Sequence, residues 1–270
     1  MNVIEQLSNS IHTHDSLVCV GLDIDKEKMP SFLFESSQQP YLDFTKAIID
    51  ETKDLVCAYK LNLAFYESIE SDGLTVLKKT IQYIPSDSLI ILDGKRNDIG
   101  NTAKKYASAL FEHFQADAIT VNPYLGWDGI EPFVSYADKC SFILCRTSNP
   151  SAADFQDLMC DDKPLYIHVA ENIKKWNVNK NCGAVVGATY PDELRRIRSI
   201  LGEDVPLLIP GVGKQGGDVK KTVRYGTNKH GEMAVINSSR GIIYAGSDQD
   251  FAEQARIATE TLKDHINSFL

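Results

Sequence analysis

Four ionisable residues have types and spacings that could do chemistry. Asp93, Lys95 and Asp98 follow an apolar run in the stretch LDGKRND, and Lys60 lies near the end of an earlier apolar run. Residues two apart on a strand share a face, and a carboxylate beside an ammonium group keeps both ionised in a partly buried site. A single pair of this kind can be a structural salt bridge, but four such groups favour an active site. Arg96 is expected on the opposite strand face, in a structural ion pair.

These residues need a scaffold, and short apolar runs indicate one. Eight runs rich in Val, Ile and Leu have the length and continuous hydrophobicity of strands that are buried on both faces. They are residues 17–23, 55–62, 89–95, 118–122, 142–147, 184–188, 207–211 and 234–238. Helical patterns cover residues 41–53, 73–84, 101–114, 164–176, 191–201 and 251–269, and an amphipathic pattern begins the chain.

The alternation of strands and helices predicts an α/β protein with a (β/α)₈ TIM barrel. A doubly wound open sheet is the main alternative, and the absence of a G-x-G-x-x-G after the first run weakens its dinucleotide-binding form. No linker or break in composition interrupts the chain, so we expect a single catalytic domain over residues 1–270. Residues 148–163 form a longer polar insertion, which we expect to be part of a mobile loop.

A glycine-rich stretch suggests an anion site. The sequence PGVGKQGGD, residues 210–218, follows the seventh run, and Arg240 follows the eighth. Glycines let backbone N–H groups approach an anion closely, a following helix adds its dipole, and an arginine adds bidentate hydrogen bonds. Barrels commonly bind phosphate after strands seven and eight. We therefore expect this loop and Arg240 to bind a phosphate group.

Composition excludes several other classes of function. The net charge of −9 argues against a general nucleic-acid or anionic-membrane binder. No apolar run approaches the roughly 18 residues of a membrane helix, and the first residues do not resemble a secretory signal. The six cysteines form no C-x-x-C, which favours a reduced chain in the cytoplasm. The six scattered histidines do not suggest a metal site.

Taken in their order along the chain, these motifs resemble the orotidine 5′-phosphate decarboxylase family. The matching features are D-x-K-x-x-D in DGKRND, the lysine in AYKLNLAFYE, the loop PGVGKQGGD and the closing SSRG at residues 238–241. The resemblance spans about residues 18–245. The segments TVNPYLGWDG and CRTSNPSA are similar to the longer bacterial-type branch of the family.

The resemblance implies a reaction: orotidine 5′-phosphate loses CO₂ from C6 of its pyrimidine and gives UMP, the last step of de novo pyrimidine biosynthesis. It implies no metal and no organic cofactor, so the protein's charges must stabilise a carbanion at C6. In this family Lys95 would lie beside C6 and donate the proton. Asp93 would lie against the departing carboxylate, and Lys60 would hold the charged cluster and a ribose hydroxyl.

The resemblance also implies a homodimer with shared active sites. Asp98 would reach the other subunit's site together with Ile99 and Thr102. Asp23 would bind the ribose and Ser148 the amide edge of the pyrimidine. Gln215 and Arg240 would bind the substrate's phosphate, with backbone N–H groups nearby. The other substrate-binding positions in this region would be Pro210, Gly216, Gly217 and Gly241.

Three other functions remain open. Metal-dependent relatives, such as a hexulose-phosphate synthase or a keto-gulonate-phosphate decarboxylase, are expected to carry an acid at the position of Lys60. A Schiff-base aldolase would use Lys60 or Lys95 as a nucleophile. A catalytically silent nucleotide-binding or scaffold protein would be expected to lack one of the four charged residues.

Overall fold

The computed structural model describes residues 2–69, 72–212 and 217–270. Its strands are β1 (Val18–Gly21), β2 (Ala58–Asn62), β3 (Leu89–Arg96), β4 (Ala118–Val121), β5 (Cys140–Arg146), β6 (Met159–Cys160), β7 (Lys163–Pro164), β8 (Cys182–Val186), β9 (Leu207–Pro210) and β10 (Ala234–Ser238). Eight of them close into a parallel barrel in the order β1-β10-β9-β8-β5-β4-β3-β2. The predicted (β/α)₈ barrel is therefore confirmed, and the open-sheet alternative is wrong.

Helices connect the strands. They are α1 (Val3–His14), α2 (Phe32–Ser36), α3 (Pro40–Thr52), α4 (Leu63–Glu67), α5 (Gly73–Tyr83), α6 (Gly100–Ser108), α7 (Trp127–Val134), α8 (Leu165–Trp176), α9 (Pro191–Leu201), α10 (Val219–Gly226), α11 (Arg240–Ile243) and α12 (Phe251–Asn267). A π-helical turn, Ala109–His113, extends α6, which explains why residues 101–114 read as one helix. Within the described ranges, no helix has both the length and the apolar character needed to span a bilayer.

The strands are apolar because both of their faces are covered. Every residue of β1, β4 and β8 is buried, with helices packed outside and side chains of other strands filling the barrel. Fully burying one such Val, Leu or Ile contributes about 1.5–3 kcal/mol. The carboxyl ends of the strands are where polar residues replace this apolar pattern, so the barrel brings those residues together.

The first helix covers the amino-terminal ends of the strands. Asn2 and Glu5 form a capping box at its start, and its apolar side buries Val3, Leu7 and Ile11. The Ser10 hydroxyl donates a 2.9 Å hydrogen bond to a backbone carbonyl at the beginning of β2. This end of the barrel is therefore filled and covered, whereas the carboxyl end carries a cavity.

A candidate active site at the carboxyl ends of the strands

The charged stretch after the third apolar run lies on an irregular part of β3. Leu92 pairs with Ile119 of β4, and the next pair is Arg96 with Val121. Three residues of β3 therefore lie opposite a single residue of β4, Thr120. The strand bulges at this point, as strands often do next to functional sites.

The bulge gives Lys95 an unusual backbone. Its φ angle is 45°, in the left-handed region that residues other than glycine rarely adopt. Its N–H donates a 2.9 Å hydrogen bond to the hydroxyl of Thr120, and its ammonium group lies 2.7 Å from a carboxylate oxygen of Asp93. Asp93 and Lys95 thus meet as predicted, but a regular strand pleat is not the cause, because the strand is bulged here.

Asp93 has cations or donors on both carboxylate oxygens. Its Oδ1 accepts 2.7 Å hydrogen bonds from Lys95 and from the Thr120 hydroxyl, and its Oδ2 lies 3.3 Å from Lys60 Nζ. Lys60, on β2, is also 3.4 Å from Asp23 Oδ1. The side chain of Asp93 is 10% exposed and that of Lys60 5% exposed, whereas that of Lys95 is 46% exposed. Two buried groups and one accessible ammonium group form the cluster.

The cluster keeps its buried members ionised. Burial alone would raise the pKa of Asp93, but the ammonium groups of Lys60 and Lys95 and the hydrogen bonds from Lys95 and Thr120 outweigh it. They lower that pKa to about 2. Burial alone would lower the pKa of Lys60, but Asp23 and Asp93 raise it above its ordinary value. At neutral pH the buried part of the cavity therefore holds the Asp93 carboxylate beside the Lys60 cation.

The loop after β1 is held by two tyrosines. The hydroxyl of Tyr66 donates to the carbonyl of Leu22 at 3.1 Å, and that of Tyr244 donates to the carbonyl of Asp23 at 2.9 Å. The same Tyr244 oxygen accepts from the N–H of Asp25 at 2.6 Å. These bonds fix the backbone that carries the Asp23 carboxylate toward Lys60.

A cavity of about 600 Å³ lies over the cluster. The predicted site residues that line it are Asp23, Lys60, Asp93, Lys95, Ser148, Pro210, Arg240 and Gly241. A cavity of this size lies within the range of small-molecule sites in proteins. The arrangement fits an anionic ligand, because Arg240 and Gly211 line the same cavity as the cations of the cluster.

The two described ends of the glycine-rich loop, residues 210–212 and 217–218, lie close together. The N–H of Gly217 donates to the carbonyl of Gly211 at 3.2 Å, and a Cβ on Gly217 would lie only 2.6 Å from that of Ala188. This close approach requires glycine, but Gly217 is not among the residues lining the cavity. Gln215 and Gly216 lie outside the described residues. Helix α10 begins two residues after Gly217, as anticipated, and is capped by Asp218.

Ser148 follows β5 and packs against the end of β8. A Cβ on Gly187 would lie 2.8 Å from the backbone nitrogen of Ser148, so the two loops touch because residue 187 has no side chain. The amide oxygen of Gln156 accepts from the N–H of Thr147 at 2.8 Å. These contacts hold the backbone on either side of Ser148.

The insertion at residues 148–163 contains a 3₁₀ turn, Pro150–Asp154, and the β6–β7 hairpin. Its Asp157 forms an ion pair with Arg146 at 2.9 Å, and the Arg146 guanidinium lies 3.8 Å from the centre of the Tyr190 ring. Arg146 is only 1% exposed. The insertion is therefore joined to the barrel by a buried cation, and its motion stays a prediction.

Asp98 does not join the cluster of its own chain. Its carboxylate accepts a 2.8 Å hydrogen bond from the N–H of Ile99, and in the described ranges no hydrogen bond or ion pair connects it to Lys60 or Lys95. Ile99 is 55% exposed, and Thr102 is exposed on α6. None of these three predicted residues is among those that line the cavity of their own chain. Arg96 forms the predicted structural ion pair, with Glu67 as its partner.

Several polar residues of the cavity were missed by sequence reasoning. Thr120 is 1% exposed and contacts both Asp93 and Lys95. Lys28 and Gln156 also line the cavity and were not predicted, whereas five other lining residues are polar groups at or just after strand ends, where the site was expected: Asn62, Thr147, Asn149, Asn237 and Ser239. For Thr120 a signal existed, because it is a polar residue in an otherwise apolar strand. For Gln156, which lies in the insertion, the sequence offered none.

Known proteins share both the sequence and the fold. A protein of Cellvibrio japonicus named orotidine 5′-phosphate decarboxylase is 48% identical over 273 residues, covering 99% of this chain and 98% of that protein. One of the same name from Dehalococcoides mccartyi is 45% identical and covers 100% of this chain and 98% of its own. The structure of Leishmania donovani OMP decarboxylase superposes with a TM-score of 0.87 at 35% identity, covering 100% and 98% of the two chains.

Residues that lie far apart in the chain meet at the carboxyl end of the barrel. Here the D-x-K stretch, the strand-two lysine and the loops after β9 and β10 surround one cavity. Residues 16–255, which contain all of them, match the model of the Orotidine 5′-phosphate decarboxylase / HUMPS family, and the chain belongs to that family.

Proposed function

We propose that this chain converts orotidine 5′-phosphate to UMP and CO₂, as the last step of pyrimidine biosynthesis in the cytoplasm. One observation carries the proposal: a carboxylate, Asp93, is held between Lys60 and Lys95 in the cavity that Arg240 also lines. The names of the full-length relatives support the same substrate.

Asp93 would raise the free energy of the bound substrate through charge repulsion. With a pKa of about 2 it is a carboxylate at neutral pH. A substrate carboxylate placed against it meets a like charge in a site with little water, and departure of neutral CO₂ removes that repulsion. Lys60 would keep Asp93 in place and ionised throughout.

Lys95 would stabilise the carbanion at C6 and then protonate it. When the C6–carboxylate bond breaks, its electron pair stays on C6, and an ammonium group already in position stabilises that charge without reorganisation. Lys95 then transfers a proton from Nζ to C6, completing UMP. Its side chain is 46% exposed, so solvent can return the proton. No electron leaves the substrate, so the balance requires no metal or organic cofactor.

Binding energy would come from the phosphate end of the substrate. Arg240 begins α11, and its neighbour Gly241 and Pro210 line the same cavity. Together with Gln215 and Gly216 they would hold the phosphate, while Asp23 holds the ribose and Ser148 the pyrimidine. Binding energy from the remote phosphate can be used to hold the substrate's carboxylate close to that of Asp93.

Lys60 argues against the metal-dependent alternative. Its ammonium group lies 3.3 Å from Asp93 and 3.4 Å from Asp23, where a divalent cation using those carboxylates would meet a like charge. The test is the loss of orotidine 5′-phosphate absorbance on adding the purified chain, with and without EDTA. Equal turnover in both supports the proposal, and turnover abolished by EDTA contradicts it. Covalent trapping of substrate by borohydride would indicate a Schiff-base aldolase. Binding of a uridine nucleotide without turnover would indicate a catalytically silent protein.

We also propose a homodimer in which Asp98, Ile99 and Thr102 enter the partner's site. The observation that supports it is a patch of exposed apolar side chains: Ile99 is 55% exposed, Tyr124 78%, Leu125 45% and Trp127 41%. Leu125 and the backbone of Asp98 both lie within 3.4 Å of a Cβ built on Gly129, so the patch and Asp98 are neighbours. Exposed apolar patches commonly mark such interfaces.

Mixing inactive variants tests this arrangement. In a dimer of Lys95→Ala with Asp98→Ala, one site receives both lesions and the other receives none. An equal mixture should therefore recover about one quarter of wild-type activity, because half of the dimers are mixed and each holds one intact site. Lys95→Ala mixed with Asp93→Asn is the control, since every site keeps one lesion. No recovery in the first mixture, with mixed dimers demonstrated by mass spectrometry, contradicts the shared site.

A further inference from the structure

Thr120 is the single residue of β4 that faces the bulge of β3. Its side chain is buried, with 1% exposure, and its hydroxyl bonds to two residues that the proposed reaction requires. It accepts from the backbone N–H of Lys95 at 2.9 Å and donates to Oδ1 of Asp93 at 2.7 Å. Neither the family motifs nor the apolar pattern assigns it a role.

The directions of these two bonds are fixed by chemistry. An ionised Asp93 can only accept and a backbone N–H can only donate, so the hydroxyl proton must point to Asp93 and a lone pair to Lys95. Lys95 has a backbone conformation that is unfavourable for a lysine, with φ of 45°. A partly buried N–H left without an acceptor would favour another conformation, so the hydroxyl of Thr120 supports the bulge itself.

The same carboxylate oxygen receives both the Thr120 hydroxyl and the Lys95 ammonium group, each at 2.7 Å. The hydroxyl therefore constrains Lys95 at its backbone and, through Asp93, at its Nζ. Rotation of the Asp93 carboxyl would move the oxygen that orients the ammonium group. Loss of the hydroxyl would release both constraints together.

We propose that Thr120 is a positioning residue, which sets the Lys95 ammonium group and the Asp93 carboxylate in the arrangement needed for decarboxylation. The inference rests on the proposed function for its kinetic consequence, but the arrangement itself can be measured separately. Thr120 acts through Asp93 and Lys95.

Two substitutions separate the hydroxyl from the methyl group. Thr120→Val keeps the shape and removes the hydroxyl, whereas Thr120→Ser keeps the hydroxyl and removes the methyl. Loss of hydrogen bonds to a charged group predicts that kcat for the valine variant falls about 10- to 100-fold. The affinity for UMP should change far less, because Lys60, Arg240 and the rest of the cavity are unaltered. The serine variant should retain most of the wild-type kcat.

Thr45→Val is the matched control for loss of a buried threonine hydroxyl. Thr45 is 0% exposed on α3 and bonds to Thr80 at 3.1 Å, away from the cavity. The Thr45→Val substitution should lower the melting temperature of the protein without lowering kcat. A similar fall in kcat for Thr45→Val and Thr120→Val would overturn the proposal, since both would then report general destabilisation.

A crystal structure of the Thr120→Val protein gives a readout independent of turnover. The expected result is that Lys95 leaves the left-handed region or that its Nζ moves away from Asp93. An unchanged Lys95 with unchanged kcat would overturn the proposal, as would a serine variant as impaired as the valine one. If the unaltered chain did not convert orotidine 5′-phosphate, the proposed function would fail, but this structural readout would still decide whether Thr120 holds Lys95.

Discussion

Replacing Asp93 by asparagine measures how strongly the two lysines hold this carboxylate. Burial alone would raise the pKa of Asp93, but Lys60, Lys95 and the Thr120 hydroxyl lower it from 3.8 to about 2. At about 1.4 kcal/mol per pH unit, this difference contributes about 2–3 kcal/mol to the free energy of unfolding at neutral pH. The side chain is only 10% exposed, so solvent screens little of this contribution.

The contribution has a defined pH dependence. Because the folded-state pKa lies below the unfolded one, the stabilisation is complete above about pH 5 and is lost as the pH falls towards 2. Asparagine does not titrate. The difference in unfolding free energy between wild type and Asp93→Asn should therefore stay constant from pH 7 to pH 5 and shrink by about 1 kcal/mol at pH 3. Any constant cost of placing an amide in the site cancels in this comparison.

The assay is urea unfolding followed by circular dichroism at one protein concentration and several pH values. Asp138→Asn is the control, because Asp138 is exposed and its replacement removes one negative charge without touching the cluster. The reasoning is refuted if the difference in unfolding free energy between wild type and Asp93→Asn stays constant down to pH 3, or grows as the pH falls. It would mean that the lysines do not hold Asp93 ionised.

Two further substitutions test the phosphate end and the contact behind Ser148. Arg240→Ala should reduce kcat/KM for orotidine 5′-phosphate about 10- to 150-fold more than for the phosphate-free nucleoside, since a charged hydrogen bond to phosphate is lost. Equal losses on both substrates would remove Arg240 from the phosphate site. Gly187→Ala should lower the unfolding free energy by about 1–3 kcal/mol and raise KM, because its Cβ would lie 2.8 Å from the Ser148 nitrogen. Urea unfolding and initial rates check both effects, and a variant with wild-type stability and KM would show that the two loops can separate freely.

The fold was predictable because burial on both faces leaves a strong pattern in the sequence. Each of the eight apolar runs overlaps a barrel strand, and the errors lie at the ends of the strands. Residues 22 and 23 were assigned to the first strand but lie beyond β1, where the N–H of Leu22 bonds to the Lys60 carbonyl and the chain turns into a loop. Helix α7 was missed because it is short and contains Gly129 and Pro132, and burial of Ile130 and Phe133 outweighs this local disadvantage.

The site was predictable in its composition but not in its geometry. Lys60, Asp93 and Lys95 meet as expected. The bulge that brings Asp93 and Lys95 together requires Lys95 to adopt the left-handed region, which its residue type does not predict. From the sequence, Thr120 was expected only as part of the fourth strand. Its hydroxyl contacts Asp93 and Lys95 because of the bulge in β3. The single-domain organisation, the dimer and the individual substrate contacts stay predictions.

The most direct test of the central claim is release of CO₂ from carboxyl-labelled orotidine 5′-phosphate. Wild-type protein, exhaustively stripped of metal by a chelator, should be compared with Lys95→Ala prepared in the same way. We expect undiminished release by the wild type and a fall of many orders of magnitude for the variant, with about 1.4 kcal/mol of barrier for each tenfold loss. Lys139→Ala, which removes a lysine paired with Asp117 outside the cavity, should behave as wild type. Loss of wild-type activity on metal removal, or near-normal release by Lys95→Ala, would contradict a cofactor-free reaction in which Lys95 supplies the proton.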